Sequence, residues 1–559
     1  MSVYTATVID TSGIQPYIFG SNRLRENIGA SFLVGQATGD WVEAALRSLE
    51  AELRQAKVDC KIAYIPPKTT LYAPPQIQQD PQIAAELIYT GGGNAIAVFC
   101  SCDYAVRFTQ ILSRRVLEEA PGLTLNVAHQ KFEWNEPASL FKAVQQLRHT
   151  LEYEKPPKAP SSPMLGLSVT ADCISTRLVA VGMSNKFGAP EADAYLVSRE
   201  VSKKIQAVNQ ARVRLREELK HEVPEDLHFP TDFDDLGRSH GESSYIAVVH
   251  ADGNNMGARF EQCGKDKSNH DYIIAIRKMS SSVNHAGLLA MRSVTKQLVN
   301  FIQIAKFPLP KRNEGGSYLP FRPLVYGGDD VTFVCDGRLG LELAALYLEE
   351  FAKQKDPDGN LTFSACAGIA IVKTHYPFAR TYALSEILCN SAKVLLRQKE
   401  QETGREETNP KQKSAMDWHI ATSGLLGSIS EIRQREYRSE QRNALLMRPV
   451  WLSHRDEWQT WEGLKHVIHT FVHDVAWRDH KNKVIALREV LRRESNAVEQ
   501  FLQVYKLDHL PTFTIRNGKE KTLQKKGWVD SRCGYFDAIE AMDFYTNMTE
   551  DIKITEGDE

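Results

Sequence analysis

Two apolar strands, each ending in an aspartate and each followed at nearly the same distance by a glycine hairpin, constrain this chain more than any other feature. VYTATVI at 3–9 runs into Asp10, and 81 positions later GGGN at 91–94 opens the apolar stretch AIAVFC. SYIAVVHA at 244–251 leads to Asp252, and 75 positions later GGDD at 327–330 opens VTFVC. Helix-period apolar positions fill the interval in each case. The same strand, helix, hairpin order therefore occurs twice, which reads as an internal duplication of a β-α-β-hairpin unit. At 559 residues the chain is too long for one core, so two such domains fit within it.

The duplication sets the remaining boundaries. EKPPKAPSSP at 154–163 is a proline-rich break. Past about 420, the segments REYRSEQRNALLMRPVWL, WEGLKHVIHTFVHDVAW and KVIALREVLRRESNAVEQFLQVYKL carry apolar residues at helical spacing. The expected division is a first domain at 1–153, a linker and intermediate α/β segment at 154–240, a second domain at 241–420 and a helical domain at 421–559. RQKEQETGREETNPKQK at 397–413 lacks an apolar stripe and is expected to be a solvated loop.

Bulk charge excludes some classes of function. Lys plus Arg is 68 and Asp plus Glu is 70, a formal charge of −2, so any phosphate binding must be local. Nine cysteines with no Cys-x-x-Cys pair argue against a disulfide framework and against a sequence-evident zinc ribbon. The start MSVYTATVID has no basic segment ahead of an apolar one, and no run of 18 apolar residues occurs. These features lead us to expect a soluble, cytoplasmic protein without a membrane partner.

The chemistry concentrates at GGDD. Adjacent anions at Asp329 and Asp330 repel, an arrangement that costs stability unless a cation neutralises it. Asp252 ends the strand expected to pair beside them, and three carboxylates there suit Mg²⁺ or Mn²⁺. In a two-metal site such cations activate an attacking hydroxyl and stabilise a leaving pyrophosphate. Gly327 and Gly328 allow a triphosphate to approach the turn. Gly253, Asn254, Asn255, Met256 and Gly257 lead into a helix, and their backbone N–H groups are candidates for phosphate oxygens. Lys393 in ALSEILCNSAKVLLRQ is either a point charge for a β- or γ-phosphate or a surface lysine. Three other signals read as structural. His473-Asp474 sits within a helical stripe; Lys203, Lys204, Arg212, Arg214 and Arg216 form a solvated basic face; Cys100 and Cys102 pack on one side of a strand.

IDTSGIQPYIFGSNRLRENIGASFLV, YTGGGNAIAVF, ADGNNMG, YGGDDVTFVC and SACAGIAIVKTHYPFARTYALSEILCNSAK together resemble the tandem palm domains of the large polymerase-cyclase subunit of type III CRISPR effector complexes. The likeness runs in order over roughly residues 1 to 420. It implies an α+β chain of two ferredoxin-like palm domains, related to GGDEF cyclases, with an intervening α/β segment and a C-terminal helical domain. It implies a nucleotidyltransferase that joins ATP through 3′–5′ linkages into cyclic oligoadenylates for antiviral defence, with Mg²⁺ or Mn²⁺ on Asp252, Asp329 and Asp330. Lys393 would touch the triphosphate, while Gly92, Gly93 and Asn94 of the first, degenerate palm would help seat the acceptor nucleotide. Implied partners are ATP or another NTP, CRISPR effector subunits and RNA, with the palms pairing inside one chain. That pairing leaves a monomer or one subunit of a larger complex. The alternative is a non-catalytic scaffold that binds nucleotide or RNA.

The chain also departs from the family's pattern. It opens on the first palm strand, so the family's His-Asp nuclease domain and its DNA cleavage are not expected. Asn254 stands where relatives often carry another aspartate. ADCISTRLVAV keeps only Cys173 of an element that is often zinc-binding in relatives. Asp417 in SAMDWH resembles a segment after the family's second palm, without an assigned role.

Overall fold

The computed structural model describes residues 3–66, 74–153, 166–219, 222–236, 244–312, 315–355, 359, 362–404, 413–422, 424, 427–454, 457–478, 481–493, 495–513 and 519–548. The proline-rich break at 154–163 lies outside them. Among the described residues no helix is long and apolar enough to cross a membrane. The chain divides into two compact units: residues 1–220, 255–288 and 356–360 form the first, and 221–254, 289–355 and 361–559 the second.

The first unit is built on Val3–Ser12, Ile83–Gly91, Asn94–Phe99 and Thr124–Glu133. Numbered in chain order, these four strands lie in the order 2-3-1-4, every neighbour antiparallel, with Lys61–Ala63 added in parallel at one edge. Helices Leu24–Thr38 and Asp40–Gln55 follow the first strand and Cys102–Glu119 the third, which completes the βαββαβ order of a ferredoxin-like sheet. Apolar side chains from the strands and from Ser139–Tyr153 share one core with Tyr272, Ile273 and Ile276. Glu86, buried in the second strand, accepts from the Gln76 and Ile77 backbone N–H groups and pairs with Arg277 at 2.8 Å. Its charge is thus hydrogen-bonded and paired, as burial requires.

In the intermediate segment the one cysteine is a core residue. Cys173 is fully buried against Ala189, Tyr195, Val197, Val201 and Ile205. The long helix Arg199–Leu219 crosses Leu24–Thr38 closely at Gly29, where a Cβ would stand 1.7 Å from the Lys204 carbonyl oxygen. Lys204 corrects the expectation of a solvated basic face. It is buried, donating to the Tyr17 carbonyl and to Glu200, both at 2.7 Å. Lys203 and Arg214 are paired to Glu119 and Glu218. Cys100 and Cys102 also differ from expectation: Cys100 is exposed, and Ser101 caps the helix that begins at Cys102.

The second unit repeats the topology. Tyr245–Gly253, Phe321–Val325, Asp330–Asp336 and Ala365–Lys373 again lie 2-3-1-4 with antiparallel neighbours. Ala415–Ala421 then joins in parallel and Val450–Trp451 antiparallel, making six strands. Tyr245–Gly253 is central and buried on both faces, which explains its near-continuous apolar run. The helix Phe378–Thr403 lies on the Ala365–Lys373 strand. It extends through positions 397–403, where a loop is expected from composition; 405–412 lie outside the described residues.

Past 420 the second unit is mainly helical, with Trp461–His473, Lys481–Arg492 and Ser495–Val504 among its helices. His473 ends the first of these, and Asp474 caps it. REYRSEQRNALLMRPVWL is not the helix its spacing suggests: helix Ile429–Glu436 stops early and the segment ends in the sixth strand. Asp417 acquires a structural role here. It is fully buried, and Arg433 clamps it with two hydrogen bonds of 2.7 and 2.8 Å. Burial opposes its ionisation, yet the charges and hydrogen bonds of Arg433, with Arg448 beyond, hold the carboxyl below the usual carboxylate range.

Removing one partner of a buried pair strands the other charge. Arg433→Leu is expected to lower the unfolding free energy of the second unit by about 3–5 kcal/mol, and Asp417→Asn in the same chain to recover much of the loss. Chemical denaturation of both variants followed by Trp fluorescence checks this. Equal stability of Arg433→Leu and the parent would remove the pair from any structural role.

Candidate active site

Antiparallel pairing sets Asp252 directly opposite Asp330 on neighbouring strands. Side chains alternate along a strand, so His250 and Thr332, the facing pair two residues back, share their face. Asp329 closes the turn, and its carbonyl accepts the Gly253 N–H at 3.1 Å. The turn itself needs glycine: φ is 83° at Gly327 and 111° at Gly328. A Cβ on Gly328 would meet nothing within 4 Å, so that side of the turn is open to a ligand.

On the opposite flank of Tyr245–Gly253, Cys366 faces Asp252 and Gly368 faces His250. A Cβ at Gly368 would stand 2.0 Å from the Ser385 carbonyl oxygen and 2.3 Å from the Cys389 nitrogen. Its absence lets helix Phe378–Thr403 lie directly on the strand. That close seating brings Lys393 Nζ to 2.5 Å from Asp252 Oδ2 and 3.4 Å from the Gly253 carbonyl. The surface alternative for Lys393 is thereby removed: its side chain is 15% exposed and holds a carboxylate.

Charge crowding shows in the titration of these groups. Burial, then the charge of Asp252, raises the Asp329 carboxyl above the usual range. Burial and the charges of Asp252 and Asp329 push Asp330 up to about 8, with Lys393 opposing. Because 53% of the Asp330 side chain stays accessible, water relieves part of the burial effect and repulsion between carboxylates is the durable cause. Burial lowers the His250 imidazole, leaving it neutral near pH 7. For Lys393, burial works against the charge, but Asp252 outweighs it and raises the ammonium.

The donor set fits a hard divalent cation in kind. Oxygen ligands sit at an open turn, and they carry more negative charge than one lysine offsets. Among the described residues, no three His, Cys, Asp or Glu side chains converge into a ready-made cage.

Other expected residues are distributed differently. The Gly253 and Asn254 N–H groups are used internally, the second donating to the Ser364 carbonyl at 2.8 Å, so neither serves a phosphate as expected from the turn. Asn254 Nδ2 donates to Ser364 Oγ at 3.1 Å and to the Lys413 carbonyl at 2.7 Å. Asn255, Met256 and Gly257 belong to the first unit, where Asn255 is left-handed at φ 57° ahead of helix Met256–Gly264. Also in the first unit, Asp10 pairs with Asn94 in the register that Asp252 and Asp330 adopt in the second. There Gly93 accepts from the Thr11 hydroxyl at 2.7 Å, and the carboxylate pair is gone. Sequence reading missed His250, whose Nδ1 lies 3.4 Å from Asp330 Oδ1. The period-2 alternation that placed Asp252 places His250 beside it, and that signal was available.

Residues 245–405 match the family model for the second palm domain of Cas10/Cmr2. No curated protein matches the chain in sequence. Among solved structures, Csm1 from T. onnurineus superposes with a TM-score of 0.51 at 14% identity, covering 98% of this chain and 70% of that one. A Csm1–Csm4 cassette in complex with one ATP gives 0.50 at 12% identity, covering 97% and 70%. At these identities the likeness to the solved structures is one of fold.

A carboxyl raised on folding contributes stability that is complete below its unfolded value and disappears as pH rises through the folded one. In chelator, Asp330→Asn is therefore expected to melt higher than the parent by a few degrees at pH 8, with a smaller gap at pH 5; each kcal/mol corresponds to roughly 2–4 °C for units of this size. Added Mn²⁺ is expected to raise the parent's melting temperature and not the variant's. Scanning calorimetry at both pH values tests the pair of effects, and a gap that narrows toward pH 8 would contradict it.

Proposed function

We propose, for a chain whose residues 245–405 match the Cas10/Cmr2 second palm domain, a metal-dependent nucleotidyltransferase that converts ATP to cyclic oligoadenylate second messengers within a type III CRISPR effector. The observation that carries this reading is the register pairing of Asp252 with Asp330, with Asp329 at a turn that is open at Gly328. Binding of ATP by a Csm1–Csm4 cassette of the same fold supports the choice of nucleotide. It also supports a place in a multisubunit assembly.

Asp252, Asp329 and Asp330 would hold Mg²⁺ or Mn²⁺. When bound, such cations supply charge neutralisation and an acidified hydroxyl. The chain's own groups do the rest. Gly327 and Gly328 keep the turn free of side chains so that the α-phosphate of one nucleotide can meet the 3′-hydroxyl of another. Lys393, which holds Asp252, would turn its ammonium to the β- and γ-phosphates and favour departure of pyrophosphate. By the likeness to the family, Gly92, Gly93 and Asn94 of the first unit would contact a nucleotide. Asn255, Met256 and Gly257 offer first-turn N–H groups to phosphate.

Purified protein incubated with each NTP and Mg²⁺ or Mn²⁺, with and without candidate RNA, is expected to release pyrophosphate and yield a 3′–5′ oligonucleotide identifiable by mass spectrometry. Asp329→Ala/Asp330→Ala is expected to lower the rate on the order of 10²-fold or more, and Lys393→Ala to lower it with a weaker apparent affinity for the triphosphate. Absence of pyrophosphate with every NTP would leave a nucleotide- or RNA-binding scaffold as the function. Product undiminished in the double variant would move the chemistry elsewhere.

A further inference from the structure

We propose that His250 is a positioning residue for Asp330, fixing which carboxylate oxygen faces a bound cation. The inference rests on the reading of Asp330 as a cation ligand. His250 is 5% exposed and sits two residues before Asp252 on the same strand face. Its Nδ1 lies 3.4 Å from Asp330 Oδ1 and 3.3 Å from Thr332 Oγ1. An ionised Asp330 only accepts, so the tautomer that serves it carries hydrogen on Nδ1, while the Thr332 hydroxyl can take either role.

The ring is confined. Tyr382 meets it edge-on, with centroids 5.6 Å apart and planes at 75°. Gly368 faces His250 on the neighbouring strand, where the backbone of Ser385 and Cys389 fills the space that a side chain would need. Among the described residues, His250 Nδ1 is the side-chain nitrogen within ion-pair distance of Asp330. The Asp330 side chain is itself half exposed. A donor on one carboxylate oxygen directs the other oxygen outward, the role that outer partners play for metal-binding carboxylates. A separation of 3.4 Å is long for a hydrogen bond and leaves room to tighten on ligand binding.

Substitution by amides isolates the geometry, because the Asn carboxamide nitrogen falls near the place of Nδ1 and the Gln nitrogen near that of Nε2. Mn²⁺ binding to the full chain, read as free Mn²⁺ by electron paramagnetic resonance, is expected to weaken roughly 10–100-fold in His250→Ala. His250→Asn is expected to restore affinity to within a few-fold, while His250→Gln, matched to it in melting temperature, does not. Parent-like affinity in both His250→Ala and His250→Gln, alongside loss of binding in Asp329→Ala/Asp330→Ala, would overturn the positioning role alone. Recovery by His250→Asn no better than by His250→Gln would do the same. Mn²⁺ binding unchanged in Asp329→Ala/Asp330→Ala would overturn the cation-ligand reading, and the inference with it.

Discussion

Repulsion among three carboxylates at one end of a sheet is the constraint on which the rest of the second unit depends. A single ammonium, Lys393, touches one of them. At an effective dielectric of 20, two unit charges 4 Å apart interact by about 4 kcal/mol, so a pair left uncompensated is a large fraction of a domain's net stability. One positive charge against three carboxylates leaves the group short of compensation, and the charge of Glu386 adds to the repulsion on Asp330. The fold meets it in part by holding Asp329 and Asp330 toward their protonated forms. A divalent cation would meet it without a proton. The helix that carries Lys393 reaches Asp252 only because Gly368 gives it no side chain to ride over, so a backbone packing detail sets the electrostatics of the site.

The two sheets show what happens when that constraint is lifted. Their strand orders and registers agree down to the facing pair at the hairpin, Asp10 with Asn94 and Asp252 with Asp330. In the first unit, Asn94 is neutral and Gly93 carries no carboxyl, so neither of them repels Asp10. The Thr11 hydroxyl closes on the Gly93 carbonyl instead. Two residue changes remove both the cost and the cation demand from one copy. A chain with one anionic hairpin and one neutral hairpin does not need the symmetry of paired active half-sites.

Much of this architecture was legible in the sequence because it depends on strong, local signals. Apolar runs, strand-ending aspartates and left-handed glycines specify strands and turns whatever surrounds them, and they gave both βαββαβ sheets and the three acids. Readings that depend on a partner elsewhere in the chain fared worse. Lys204 looks solvated in a basic helix until Glu200 and the Tyr17 carbonyl are found beside it. Lys393 could not be told from a surface lysine without the close seating at Gly368. The segment after Glu436 has helical spacing but gives up the helix to supply a strand next to Ala415–Ala421. Tertiary pairing overrode local propensity there.

Asn254 shows how sequence identity and charge count meet at the site. Its Nδ2 donates to the Lys413 carbonyl and to Ser364, a pair of contacts that joins the turn after Asp252 to the starts of Ala365–Lys373 and Ala415–Ala421, the next two strands on one side of it in the sheet. A carboxylate in the same place has no hydrogen to give and would set an anion against a carbonyl oxygen, adding a further negative charge to a cluster already short of compensation. The amide thus holds the turn closed without adding another acid.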